Sequence, residues 1–201
     1  MKIKPDYSLY LVTDRSFLHG RSLEEVTAQA VAGGCTLVQL REKSLSSGDF
    51  FQLARALKEQ LQPFRVPLII DDRADIMLAA GADGVHVGQS DIPAAAVRAL
   101  IGPEHILGCF RPTRWKRLCR QSGTALIISV WEPCSHGDKA GLLLSYPWKI
   151  KKITARIHIP AVVIGGINRK HCPFLRGQAY RGPLWYQILW EIMIPGGLRK
   201  Y

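Results

Sequence analysis

Three polar side chains alternate with other residues where a short apolar stretch ends. The segment reads Val-Gln-Leu-Arg-Glu-Lys over 38–43, and in an extended strand Gln39, Arg41 and Lys43 lie on one face. Arginine can hold phosphate oxygens through two parallel hydrogen bonds and lysine adds a point charge, so this set suits the diphosphate of a ring compound. The alternative is a solvated strand end with surface ion pairs.

Carboxylates follow the next two apolar stretches. Asp71 and Asp72 end one of them, and Asp91 comes four residues after the other. Mg²⁺ takes one or two carboxylates together with water and substrate phosphates, so Asp72 and Asp91 beside a diphosphate grip predict a magnesium site. Taken alone, the two would be helix caps or turn residues. His86 faces either the interior or the helices, and we assign it no role.

The elements that must position these residues alternate between short strands and amphipathic helices. Five strand-helix units fit within residues 1–110, and at that density the chain holds about eight of them. No glycine-rich dinucleotide loop follows the first strand, which favours an α/β fold of the (β/α)8 TIM barrel type over an open sheet. A later strand ends in Gly165-Gly166, whose amides could cradle a phosphate or form a plain turn.

Length and composition indicate one domain over residues 1–201, with 47% apolar and 21% charged residues. No apolar stretch reaches membrane-spanning length and the N-terminus has no signal-peptide pattern, so we expect a cytoplasmic protein that does not use a membrane. The five cysteines show no C-x-x-C spacing, which makes disulfide and zinc readings weak.

Charge divides the chain into two unlike halves. Residues 1–109 carry 11 Lys and Arg against 13 Asp and Glu, whereas residues 110–201 carry 16 against 3 and contain all five Trp. Such a basic half could bind nucleic acid, but its cations lie in segments without motif or repeat. We therefore expect small-molecule substrates and no nucleic-acid partner.

Several segments together resemble the thiamine phosphate synthase family. The resemblance is nearly continuous over residues 1–109 and resumes at about 151–168. It is carried by Tyr-Leu-Val-Thr-Asp-Arg at 10–15, the 38–43 segment, Ile-Asp-Asp-Arg-Ala-Asp at 70–75, Gly-Val-His-Val-Gly-Gln-Ser-Asp-Ile-Pro at 84–93 and Val-Ile-Gly-Gly-Ile-Asn at 163–168.

The resemblance implies a (β/α)8 barrel that joins a pyrimidine methyl diphosphate to a thiazole phosphate and releases pyrophosphate. By the same resemblance Gln39, Arg41 and Lys43 would bind the pyrimidine diphosphate, with Asp71 standing where the family usually has Asn. Asp72 and Asp91 would hold Mg²⁺, and Gly166 would contact the thiazole phosphate. A thiazole tautomerase of the same fold is disfavoured, since the diphosphate and metal set is complete.

Residues 110–150 and 169–201 depart from the family pattern. Written with suitable codons, Arg114–Leu118 reads Val-Glu-Glu-Ala in another frame, and Ser129–Ser135 reads Gly-Val-Gly-Ala-Met-Phe. Out-of-frame translation would account for the tryptophans, the basic surplus and the lost motifs together. It would also place barrel closure and the thiazole-side pocket in doubt, so the alternative to an active enzyme is an impaired or inactive remnant that still binds Mg²⁺ and the pyrimidine diphosphate.

Overall fold

The computed structural model describes residues 5–88, 90–110, 126–130, 160–163 and 184–187. The strands are β1 (Leu9–Val12), β2 (Leu37–Leu40), β3 (Leu68–Asp71), β4 (Gly84–Val87), β5 (Ile106–Phe110), β6 (Leu126–Val130), β7 (Ala161–Val163) and β8 (Leu184–Gln187). The helices are α1 (Leu23–Ala32), α2 (Ser47–Leu61), α3 (Ala74–Ala80) and α4 (Ala94–Ile101). Short 3₁₀ helices follow β1 at Arg15–Phe17 and α2 at Gln62–Phe64.

The strands are parallel, and each one pairs with the next along the chain. Strand β8 pairs with β1 through Leu9↔Tyr186 and Tyr10↔Gln187, so the sheet closes into a ring. The expected α/β fold with a parallel sheet is confirmed. Any helices that follow β5 to β8 lie outside the described residues. Of the segments 110–150 and 169–201, the structure describes only the end of β5, β6 and β8.

Alternation along the strands divides the apolar residues into two layers. Outward residues, among them Val38, Ile70 and Val85, form one core with the helices. Inward residues form a second cluster inside the ring, which includes Tyr10, Ile69 and Val162. Along β1 to β5 both faces of the sheet are thus covered, as expected for parallel strands joined by helices.

Local capping explains where the first helices begin. The Ser22 hydroxyl accepts from the Glu25 amide, and the Glu25 carboxylate accepts from the Ser22 amide at 2.8 Å, which is a capping box. Ser46 accepts from the Asp49 amide at 3.1 Å and caps α2. No helix within the described ranges has the length and apolar character that membrane crossing requires.

Candidate active site

The inward face of the sheet becomes polar at the carboxyl ends of β2, β3 and β4. Gln39 is the last inward residue of β2, and Asp71 ends β3 directly beside His86 of β4 in the strand register. The chain after each strand adds Arg41 and Lys43, then Asp72, then Asp91. In a barrel of parallel strands this end carries the chemistry, because the loops there converge.

Gln39 and Tyr10 form the polar floor of this site. Both are buried, and Gln39 Nε2 donates to Tyr10 Oη at 2.7 Å. Burial, reinforced by the negative charge of Asp71, raises the pKa of Tyr10 well above its ordinary value. The tyrosine therefore stays protonated and keeps a hydroxyl proton to donate.

Arg41 and Lys43 turn toward the same buried carboxylate, Asp71. Arg41 Nε lies 3.7 Å and Lys43 Nζ lies 3.3 Å from Asp71 Oδ2, and Lys43 also donates to Asp72. Burial acts against the charge on Lys43, but the hydrogen bond to Asp72 and the nearby carboxylates outweigh it and raise the lysine's pKa. The two cations are thus held side by side with their outer surfaces exposed to solvent.

Asp72 and Asp91 contact each other across the site. Burial raises the pKa of Asp91, and a hydrogen bond that its protonated form donates to Asp72 raises it further. Gly88 N donates to Asp91 Oδ2 at 2.6 Å, and a Cβ on Gly88 would lie 2.8 Å from that oxygen. Asp72 has a φ of +60°, and its amide donates to the His86 carbonyl at 2.7 Å.

This pair of carboxylates fits the predicted Mg²⁺ site in its donor chemistry. Two acidic groups close enough to share a proton are stabilised by a cation between them, and Lys43 supplies one positive charge there. Within the described part of the chain, no group of three or more His, Cys, Asp or Glu could hold a metal by itself. A metal at Asp72 and Asp91 therefore needs oxygen ligands from substrate and water.

His86 belongs to this cluster, although the sequence left its direction open. It is buried inside the ring, with Nδ1 3.4 Å from Asp71 Oδ1. Gly108 makes room for the ring, because a Cβ there would lie 2.6 Å from His86 Cδ2. The outward-packed Val85 and Val87 on either side were the signal that His86 faces inward.

The loop after β1 also enters the site, which sequence reasoning did not foresee. The Arg41 amide donates to Thr13 Oγ1 at 3.0 Å, and Arg41 Nη1 lies 3.4 Å from Asp14 Oδ2. A hydrogen bond from the Ser16 hydroxyl is the main reason that the pKa of Asp14 is lowered. Asp14 is therefore a stable anion that supports Arg41.

The predicted residues of the pyrimidine side, Gln39, Arg41, Lys43, Asp71, Asp72 and Asp91, thus meet at one end of the ring. Gly166, predicted for the thiazole phosphate, lies outside the described residues.

Comparisons with known proteins point to one family. The profile of the family described as thiamine monophosphate synthase matches residues 9–114. The thiamine-phosphate synthase of Ruminiclostridium cellulolyticum is 48% identical over 182 residues, which cover 90% of this chain and 87% of that protein. The thiamine-phosphate synthase of Clostridium botulinum is 44% identical over 177 residues, which cover 88% of this chain and 83% of the relative.

Among solved structures, the thiamine phosphate pyrophosphorylase from Pyrococcus furiosus superposes with a TM-score of 0.75 at 25% identity. The superposition covers 96% of this chain and 90% of that one. Profile, identity over most of the chain and backbone agree, and the chain belongs to the thiamine monophosphate synthase family.

Proposed function

We propose that this chain is a thiamine-phosphate synthase that joins a 4-amino-2-methyl-5-pyrimidinylmethyl diphosphate to a thiazole phosphate and releases pyrophosphate. The observation that carries the proposal is the meeting of Arg41 and Lys43 at Asp71, with Lys43 also donating to Asp72, at the open end of the ring. Relatives that bear this name at 44–48% identity support it. They do not favour the alternative of an inactive remnant.

In this proposal Arg41 and Lys43 bind the diphosphate, and Asp72 and Asp91 hold Mg²⁺. Bound Mg²⁺ would supply positive charge that stabilises the departing pyrophosphate. The bond between the pyrimidine methylene carbon and the diphosphate oxygen breaks, and both electrons leave with pyrophosphate. The thiazole ring nitrogen then gives its lone pair to the methylene carbon, and the new C–N bond completes thiamine phosphate.

The buried groups of the site would orient the pyrimidine. Tyr10 keeps its proton, while Gln39 and Asp71 offer an amide and a carboxylate on the same inward face. These groups suit an aminopyrimidine, which presents both donors and acceptors at its edge. The ring's own electrons can carry the positive charge left on the methylene, so little acid–base catalysis is required.

We further infer that a helix follows each strand, which would complete a (β/α)8 barrel, and that Gly166 contacts the thiazole phosphate. The profile match ends at residue 114, whereas the alignments with the relatives cover 88–90% of the chain, so the departure of residues 110–150 and 169–201 from the family pattern stays a prediction. Sequencing the gene tests the out-of-frame origin of those segments. An intact frame without length changes relative to functional relatives would refute it. The cytoplasmic location stays a prediction.

Turnover by the purified chain tests the proposed function. With both substrates and Mg²⁺ we expect thiamine phosphate and pyrophosphate in equal amounts, and no thiamine phosphate when the thiazole phosphate is omitted. Asp91→Asn is the matched variant for the proposed Mg²⁺ ligand. The asparagine oxygen can still accept from the Gly88 amide, but the negative charge of Asp91 is lost. Folded protein that forms no thiamine phosphate under any Mg²⁺ concentration would refute the proposal.

A further inference from the structure

The segment that carries the two cations has no strand pairing of its own. Strand β2 ends at Leu40, and the Arg41 and Lys43 side chains beyond it are 41% and 52% exposed. Long side chains on such a segment bind a ligand well only if the backbone beneath them is fixed. The structure must therefore support residues 41–43 from outside the sheet.

Glu42, between the two cations, supplies that support. Its side chain is only 1% exposed, and both of its carboxylate oxygens accept from Arg15 Nε, at 2.9 and 2.8 Å. The hydrogen bond to Glu42 raises the pKa of Arg15. A buried carboxylate is costly unless it is paired, so the contact with Arg15 fixes the Glu42 side chain, and the residue that carries it lies between the two cations.

A second ion pair of opposite polarity runs beside the first. Asp14, the residue before Arg15, contacts Arg41, the residue before Glu42. Two consecutive residues after β1, an acid and then a base, thus pair with two consecutive residues after β2, a base and then an acid. A slip of one loop by one residue would bring like charges together, so the double pairing fixes the register of the loops as well as their distance.

We propose that the Arg15–Glu42 ion pair is a positioning element for phosphate binding, which holds Arg41 and Lys43 in the geometry that grips a metal-bound diphosphate. Neither residue contacts the ligand. The inference rests on the proposed function only for the identity of that ligand. Pyrophosphate with Mg²⁺ therefore serves as a probe that does not depend on turnover.

The test measures binding of Mg²⁺-pyrophosphate to the full chain by titration calorimetry, for wild type, Arg15→Ala, Arg15→Lys and Glu42→Gln. We expect Arg15→Ala to weaken binding by at least about tenfold, since small misplacements of binding groups cost this much or more. Arg15→Lys should retain most of the affinity because it keeps the charge opposite Glu42. Adding Glu42→Gln to Arg15→Ala should cause little further loss, since both act through one contact.

Arg55→Ala is the matched control, because it breaks an exposed Arg55–Glu59 pair on α2 with an N–O distance of 3.2 Å. It should leave binding unchanged. In steady-state kinetics, Arg15→Ala should raise KM for the pyrimidine diphosphate and leave KM for the thiazole phosphate unaltered. If Arg15→Ala does not fold, Glu42→Gln carries the same expectation.

Folded variants that bind Mg²⁺-pyrophosphate as wild type does would overturn the inference, and so would an equal rise in both KM values. Wild type that binds the probe but forms no thiamine phosphate would instead refute the proposed function, and the binding comparison would still decide the role of the pair.

Discussion

Replacing Lys43 by Met separates ligand binding from stability. The Lys43 ammonium lies 3.3 Å from Asp71 Oδ2 and also donates to Asp72, yet its side chain is 52% exposed. Opposite unit charges at that distance attract by about 1 kcal/mol in water, and the buried Asp71 keeps Arg41 as a charged partner when Lys43 is lost. The free energy of unfolding should therefore fall by less than about 1 kcal/mol.

The loss in phosphate affinity should be much larger than the loss in stability. A hydrogen bond between charged partners contributes about 1.5–3 kcal/mol, which corresponds to roughly 10-fold to 150-fold in affinity. We expect Lys43→Met to weaken Mg²⁺-pyrophosphate binding within that range in calorimetry. The KM for the pyrimidine diphosphate should rise with it.

Lys58→Met is the matched control for this prediction. Lys58 Nζ lies 2.7 Å from both oxygens of Asp83, which precedes β4 at the opposite end of the strands and also accepts from the Leu68 amide. Loss of the Lys58 ammonium should lower the free energy of unfolding measured in urea by about 1–3 kcal/mol and leave the affinity for Mg²⁺-pyrophosphate unchanged. Affinity within about twofold of wild type in Lys43→Met would refute the assignment of the phosphate grip, because it corresponds to less than half a kcal/mol.

Three further outcomes follow from the structure. Gly108→Ala should displace the His86 ring from Asp71, because the added Cβ would lie 2.6 Å from His86 Cδ2. We expect the free energy of unfolding to fall by about 1–3 kcal/mol and turnover to be lower, and unchanged kinetics would contradict this. Asp91→Asn should raise the Mg²⁺ concentration for half-maximal activity by at least about tenfold, measured by Mg²⁺ titration, and an unaltered requirement would exclude Asp91 as a ligand. Burial raises the pKa of the Cys35 thiol to about 11 from 9.0, so the folded state favours the neutral thiol. The contribution of the neutral thiol to the free energy of unfolding is complete below pH 9 and is lost as pH rises toward 11, by up to about 3 kcal/mol. In urea unfolding, the stability of Cys35→Ala should therefore decline less steeply over that pH range than the stability of wild type.

Much of the fold and site followed from short-range sequence patterns. The alternating pattern over 39–43 predicted that Gln39, Arg41 and Lys43 share one face of a strand; β2 ends at Leu40, but the structure still brings the latter two side chains to Asp71. Parallel strands meet at the same end, so carboxylates after neighbouring strands had to come close, as Asp72 and Asp91 do.

The contacts that the sequence did not reveal join residues distant along the chain. Arg15 and Glu42 are 27 positions apart, and nothing in the local pattern of either residue indicates its partner. The role of Asp14 at Arg41 was hidden for the same reason, because pairing across loops depends on the stagger of β1 against β2. The inward direction of His86 could have been predicted, since the flanking valines define the outward face. A single histidine on an apolar strand, however, gives no chemical signal by itself.

A crystal structure of the protein with Mg²⁺ and pyrophosphate tests the central claim most directly. The account predicts a metal about 2.0–2.1 Å from carboxylate oxygens of Asp72 and Asp91, with the pyrophosphate on that metal and on the side chains of Arg41 and Lys43. Pyrophosphate bound elsewhere, or a metal that touches neither carboxylate, would contradict it.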